Sequence, residues 1–495
     1  MGSKTHIIEP KTHSLILEFI EHLKNNYENL SDEFRVDKQP THIVFPQILE
    51  ENVKFINCCA QSSVLKQYLA LKSTFSTSLI EAAKIGSAGA EVSTLNELEL
   101  VSSLEFEDII AGGPKSTQYL EKAVEKNVII SIDSIDELER IIKIVKLNRE
   151  INQQQSLNKK VNVIIRMSDP LCENRIISMK VSRFGISRNQ IQKCYSIIEK
   201  NQDYIELRGF HFHADGYDAD MKKGFCKYFL DQSIELQGRG ITSIDMINIG
   251  GGFRESTLKN PQEWLYLIQD IEKTLLGKKD LKIWGDYTFG ISFNAHNTLQ
   301  GRSYAESFGV KSSIESDLKT LLHTPIVDNT YTLEQIAQEL GISIIIEPGF
   351  MLSNNAGISI FSVIGIKQTS CKSDLILVNG HMFNLSLNMI EHLTDPILIS
   401  NNDIKNKIEN EVDNDSEFEG YIVGTLCRED DFLMKRKIKF SKKPQEGDIL
   451  IFVNTGSYAM SYENCSPQRF ELPQYINIIR DTNSQNWQIK KENNN

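Results

Sequence analysis

The sequence predicts an α/β protein: a (β/α)8 barrel followed by a C-terminal antiparallel β domain. Three observations predict it. Between residues 51 and 350, short β-branched segments alternate with helical ones in about eight repeats, the number that closes a barrel rather than a doubly wound sheet. These strands are apolar along their whole length, as in parallel sheets covered on both faces. Beyond residue 350, strands follow one another without long helices between them. The 495 residues accommodate both units, at roughly 150 residues for an average domain and up to about 250 for a barrel.

Residues 1–50 are mixed. Leu15–Leu23 suits a short amphipathic helix, and HIVFP at 42–46 suits a strand stopped by Pro46. This segment is expected to join the β domain. The barrel is expected over 51–350, with strands at 67–72 (QYLALK), 90–94, 108–112, 128–133, 162–167, 207–213 (LRGFHFH), 243–252 (SIDMINIGGG) and 342–349 (ISIIIEPG). Helices read at 78–86, 95–104, 116–127 and 134–147. The last opens on Ser134 with Glu137 three residues on, a capping box. A long spacer, 254–341, separates the last two barrel strands. It holds a helix at 263–276 and LKIWGDYTFGISFN at 281–294, which reads as a hairpin. The β domain is expected over 351–484, with strands at 361–369, 374–380, 419–427, 448–461 and 477–481, and a charged loop at 401–419. Residues 485–495 read as a polar tail.

Composition narrows the function classes. Gly 28 and Pro 12 are ordinary usage and exclude collagen-like or low-complexity chains. Lys and Arg total 54 against 66 Asp and Glu, a net charge of -12. That balance gives no global attraction for nucleic acid or an anionic membrane. The cysteines, at 58, 59, 172, 194, 226, 371, 427 and 465, form no CxxC pair. They suit neither a zinc knuckle nor a disulfide scaffold, and fit a reducing compartment. The start, MGSKTHIIEP, lacks a basic-then-apolar signal. Gly2 and Thr5 imitate a myristoylation start, but His6 stands where Ser or Thr is usual. No run reaches 18 apolar residues. The expectation is a soluble cytoplasmic protein.

Chemistry concentrates at the strand ends. In ALKSTFSTSLIEAAKIGSAGAEVST (70–94), Lys72 ends an apolar strand and would point into the mouth of the barrel, where barrel sites lie. An amine partly desolvated there loses its proton more readily and becomes a nucleophile. In RGFHFHADG (208–216), a strand period puts His211 and His213 on one face. In INIGGGF (247–253), Gly250, Gly251 and Gly252 let backbone N–H groups approach a phosphate. IIIEPGF (344–350) carries Glu347, GTLCRED (424–430) carries Cys427, and TGSYAMS (455–461) carries Tyr458.

In this order the motifs resemble the fold-type III pyridoxal-phosphate decarboxylases, those of ornithine, arginine and diaminopimelate, from about Leu69 to Phe470 and loosely between Arg254 and Ile342. The resemblance implies an alanine-racemase-type barrel and pyridoxal 5'-phosphate as cofactor. It implies that Lys72 carries the covalent link to it, with Glu91 nearby where Asp is usual. It implies that His213, rather than His211, stacks on the pyridine ring, that Arg166 lies on the cofactor side, and that Gly250–Gly252 and Tyr458 meet the phosphate. Glu347 would hold the pyridine nitrogen, where racemases place arginine. Cys427 would reprotonate the product from the partner subunit of a homodimer. SRFG at 182–185 matches a family turn.

Three departures from the family pattern stand out, the first on the phosphate side and the other two bearing on specificity. Gly216 stands where the family often has Ser, Phe350 where EPGR has arginine, and Arg428 where an acid reads a distal ammonium. A cation at 428 favours a distal carboxylate. The expected activity is therefore decarboxylation of an acylated or carboxylate-bearing amino acid, such as citryl-ornithine in siderophore biosynthesis. The alternatives are a decarboxylase of free ornithine, lysine or diaminopimelate, a racemase, disfavoured by Glu347 and Cys427, and a non-enzymatic cofactor-binding protein, disfavoured by the β domain.

Overall fold

The computed structural model describes residues 5–492, except 35, 152–158, 171–181, 214–218, 254, 280, 282, 303–304, 306–312, 328–329, 386–393, 401–416, 462–464, 482 and 485. The departure at Gly216 and most of the expected loop at 401–419 lie outside the described residues.

Strand β1 is Thr41–Val44. The barrel opens with β2 (Leu65–Ala70), β3 (Gly89–Val92), β4 (Ile109–Ala111), β5 (Ile129–Ile132), β6 (Val161–Arg166), β7 (Ile205–His211) and β8 (Met246–Asn248). The spacer contributes two hairpins, β9 (Ser292–Phe293) with β10 (Leu299–Gln300), and β11 (Pro325–Val327) with β12 (Tyr331–Thr332). Strand β13 (Ser343–Ile346) then pairs in parallel with both β8 and β2 and closes an eight-stranded barrel. Several helices of the repeat start on a hydroxyl. Ser76, Thr94 and Ser116 each accept the N–H three residues on, which stabilises a helix start by about 1 kcal/mol. Inside the barrel Tyr68, Ile110, Ile164, Met246 and Ile345 form an apolar layer. That plug closes the floor and leaves chemistry to the other end.

The β domain comprises β14 (Gly357–Gln368), β15 (Asp374–Val378), β16 (Ile397–Ile399), β17 (Phe418–Val423), β18 (Phe432–Phe440), β19 (Ile449–Val453), β20 (Gln474–Arg480) and β21 (Trp487–Lys491). Most pairings are antiparallel, but β1 runs parallel to β20 and β15 parallel to β17, so the sheet is mixed. Strand β1 lies between β14 and β20.

Several expectations need correction. The polar tail contains β21, which pairs with β20, and Trp487 packs edge-on to Phe19 at 5.3 Å. It is an edge strand on which alternate residues face solvent, so its composition looks like a tail. The hairpin in the spacer lies at 292–300, while Trp284–Asp286 is a single 3-10 turn. The strand expected at 419–427 stops at Val423, and that expected at 448–461 stops at Val453. The first helix runs over Ser14–Phe34, and helices at Pro46–Ala60, Arg188–Lys200 and Ala219–Gly238 were not expected.

The spacer has its own small core, with Trp264, Leu267, Ile268, Phe289 and Ile291 buried together with Ile8. Trp284 rests on Phe432 and Tyr421 of the β domain, with ring centroids 4.5 and 5.5 Å away. The spacer thus braces the barrel against the sheet. No helix among the described residues is long and apolar enough to cross a membrane.

Candidate active site

The C-terminal ends of the barrel strands bring most of the singled-out residues to one mouth. Lys72 lies in the 3-10 turn Leu71–Ser73 just after β2 and is exposed. Glu91 is in β3, Arg166 is the last residue of β6, His213 follows β7 by two residues, Gly250–Gly252 follow β8, and Glu347 directly follows β13.

Glu347 is buried, 6% exposed. Its Oε1 accepts from Asn248 Nδ2 at 2.6 Å, and its Oε2 stands 3.7 Å from His211 Nε2. Burial, and after it the charge of Glu91, push the Glu347 carboxyl up to about 7. Asn248 Oδ1 accepts the N–H of Gly250 at 2.9 Å, and Gly250 O accepts the N–H of Glu347 at 2.9 Å. One amide side chain therefore ties the carboxylate to the start of the glycine loop. Gly250 has φ +64, and a Cβ there would stand 2.7 Å from His213 Nδ1, so only glycine fits this corner.

His211 lies beneath the mouth, 2% exposed, with Nδ1 2.8 Å from Ser131 Oγ. Burial first, then the charge of Arg166, hold its pKa well below the ordinary range, so it is neutral. His213 is exposed, and its Nδ1 accepts the N–H of Gly251 at 3.2 Å. Glu91 is 5% exposed; Oε1 accepts from Ser93 Oγ at 3.1 Å. Its Oε2 and His211 Nε2 are buried without a hydrogen-bond partner. Deeper still, Lys115 donates to Glu137, Gly113 O and Ser131 O at 2.7–2.8 Å. Arg166 stacks its guanidinium on Phe184 of the SRFG turn at 4.6 Å, and Gly185 N–H donates to Asp133 at 2.9 Å.

The β domain reaches the mouth within the same chain. Ser457 Oγ donates to Ser73 O at 3.4 Å. A Cβ at Gly349 would stand 2.9 Å from the Tyr458 hydroxyl and 2.8 Å from Ser73 Cβ, so the glycine of EPGF lets Tyr458 approach the Lys72 turn. Phe350 lines a cavity with Lys11, His13, Glu255 and Asn454, under the N-terminal segment.

Cys427 and Arg428 are both exposed in the loop between β17 and β18, and among the described residues no hydrogen bond links residues 424–431 to the barrel. Arg428 is held by Asp430, Nε to Oδ1 at 2.9 Å and Nη2 to Oδ2 at 2.7 Å.

Sequence reasoning missed Asn248, Ser131 and Lys115. Their only signal was position, a polar residue at or near a strand end. The residues fit a flat, phosphorylated pyridine. Two buried polar atoms lack partners, a carboxylate lies deep in the mouth, an exposed lysine lies beside it, and a glycine loop borders it. Among the described residues, no group of three or more potential ligands could hold a metal.

Residues 50–284 match the family model described as the pyridoxal binding domain of pyridoxal-dependent decarboxylases. The uncharacterised protein y4yA of Sinorhizobium fredii is 25% identical over 452 residues, 89% of this chain and 88% of that one. The probable chloroplastic diaminopimelate decarboxylase of Oryza sativa subsp. japonica is 24% identical over 399 residues, 78% of this chain and 64% of that one. The crystal structure of diaminopimelate decarboxylase from Helicobacter pylori complexed with L-lysine superposes with a TM-score of 0.63 at 16% identity, covering 94% of this chain and 97% of that one.

Proposed function

We propose that the chain is a carboxy-lyase of the fold-type III pyridoxal-phosphate decarboxylases that uses pyridoxal 5'-phosphate, and that it decarboxylates a free amino acid with a distal amine, of the ornithine, lysine or diaminopimelate class. The observation that carries the substrate reading is the bidentate Arg428–Asp430 pair. A guanidinium already matched by a carboxylate in its own loop has little left to offer a substrate carboxylate. The citryl-ornithine reading rested on that cation and loses its ground with it. Glu429, outside that pair, supplies an acid in the same loop. The named substrates of relatives agree, among them a lysine/ornithine decarboxylase of Vibrio vulnificus.

Bound pyridoxal phosphate supplies an electron sink for the pair left behind when the α-carboxylate departs. The protein's own contributions divide as follows. Lys72 is the amine that would hold the cofactor covalently. Glu347 keeps a proton at the pyridine nitrogen, with Asn248 fixing its other oxygen. His213 covers the ring, and Glu91 and Arg166 set the charge around it. Gly250–Gly252 and Tyr458 hold the phosphate. Cys427 would deliver the proton to the α carbon from a second copy of the chain, a reading supported by its exposure and by the lack, among the described residues, of any hydrogen bond between its loop and its own barrel. On this reading the molecule works as a homodimer with shared sites.

The test of substrate class is kcat/KM for ornithine, lysine, diaminopimelate and citryl-ornithine on the holoenzyme. One of the three free amino acids should lead by at least about tenfold, as expected when a charge pair forms across an interface. A lead for citryl-ornithine would overturn the substrate reading and leave the cofactor chemistry intact.

A further inference from the structure

The glycine loop is held from below by a residue that no motif singles out. Lys222 lies in the helix Ala219–Gly238 and is 2% exposed. Its Nζ donates to Gly251 O at 2.6 Å and stands 4.7 Å from the ring centroid of Phe253, the residue that ends the loop. A buried ammonium is costly unless its donors are used, and this one is used on the backbone of the loop itself.

The consequence follows from peptide geometry. In a trans peptide the C=O of Gly251 and the N–H of Gly252 point in opposite directions, and the described residues contain no cis peptide bond. Drawing Gly251 O down onto Lys222 therefore turns the Gly252 N–H up, away from the helix. That N–H has no acceptor among the described residues, and neither has that of Phe253. By contrast, the N–H groups of Gly250 and Gly251 are taken by Asn248 and His213. The loop thus has two donors spent on the protein and two left over, and Lys222 fixes the peptide plane that presents the first of them. The ammonium also polarises that peptide, which strengthens the N–H as a donor to an anion.

We infer that Lys222 is a positioning residue for the cofactor phosphate: it acts through the Gly251–Gly252 peptide rather than by contact. The inference rests on pyridoxal phosphate being the cofactor and deepens that reading. It also offers a source of positive charge near the loop, where Phe350 provides none.

The test separates phosphate from ring. Dissociation constants are measured for pyridoxal phosphate and for pyridoxal, which lacks the phosphate, on the wild type, Lys222→Met and Lys222→Gln. Lys222→Met should weaken pyridoxal phosphate by about tenfold to a hundredfold, the range for one charge-assisted hydrogen bond, and leave pyridoxal unchanged. Lys222→Gln keeps a donor without the charge and should recover part of the loss, and it stands in if the methionine variant does not fold. The 31P resonance of the bound cofactor should shift in both variants. Equal weakening of both ligands would mark Lys222 as merely structural, and unchanged binding of both would equally overturn the inference. A wild type that binds neither ligand would refute the cofactor reading itself, and this inference with it.

Discussion

Glu347 is the residue on which the site turns. Its carboxyl sits near 7 because burial penalises the anion and Glu91 adds like charge. An acid with a raised folded pKa binds a proton that the unfolded chain has already released, so its charge costs stability as pH rises from the ordinary carboxylate range through 7. Glu347→Gln removes that cost. The ligand-free variant should therefore gain about 2 kcal/mol on the wild type between pH 5 and pH 8, read from urea midpoints at each pH. The same change should slow decarboxylation by about a hundredfold or more, because a neutral amide no longer stabilises a proton on the ring. A stability difference independent of pH would contradict the electrostatic account. At this scale the sequence was informative about chemistry and silent about support. The placement of Lys72, Glu91, Arg166, His213 and Glu347 at one end of the barrel is legible because each falls at or near the C-terminal end of an apolar strand. Asn248, Ser131 and Lys222 act through a carboxylate, an imidazole and a backbone carbonyl, and nothing in their spacing reports that. His211 and His213 share a strand face in sequence, yet one is buried and neutral and the other lies open at the mouth.

At the scale of elements, the turn that carries Cys427 depends on one buried acid. Asp431 accepts the N–H of Met382 at 2.7 Å and that of Leu426 at 2.8 Å, tying the loop after β17 to the loop after β15. Burial raises its pKa in spite of these bonds. Asp431→Ala strands one buried and one half-buried donor and should cost about 2–6 kcal/mol, at roughly 1–3 each. Unfolding by urea would measure it, and a loss below about 1 kcal/mol would show that water replaces the acid. Asp431→Asn keeps at least one acceptor and should fall between. The same turn explains a misread boundary. The apolar run from Tyr421 continues visually to Cys427, but hydrogen bonds from Gly424 to Asp431 and from Thr425 to Gly380 end the strand at Val423. The strand at Trp487–Lys491 was hidden for the opposite reason: only alternate residues of an edge strand need be apolar. Helices such as Arg188–Lys200 were missed because their exposed faces are polar enough to dilute the pattern.

At the scale of the molecule, the barrel was legible because its strands are buried on both faces and their count is fixed by closure. The mixed pairing of the β domain was not, since parallel and antiparallel edges draw on the same β-branched residues. In the proposed mechanism a barrel-mouth lysine and a β-domain cysteine of another copy together remove an α-carboxylate from a free amino acid and put a proton in its place. That mechanism is tested most directly by incubating the holoenzyme in deuterated water with ornithine, lysine and diaminopimelate labelled at the carboxyl carbon, and following labelled carbon dioxide and deuterium at the α carbon together. Cys427→Ala alone should be slow, and mixing it with Lys72→Ala should restore activity, because each two-fold site takes one residue from each chain. The wild type should release labelled carbon dioxide from at least one of these substrates and leave a single deuterium in its place, while Lys72→Ala should release none. Deuterium exchange without loss of carbon dioxide, or release by Lys72→Ala at the wild-type rate, would contradict the mechanism.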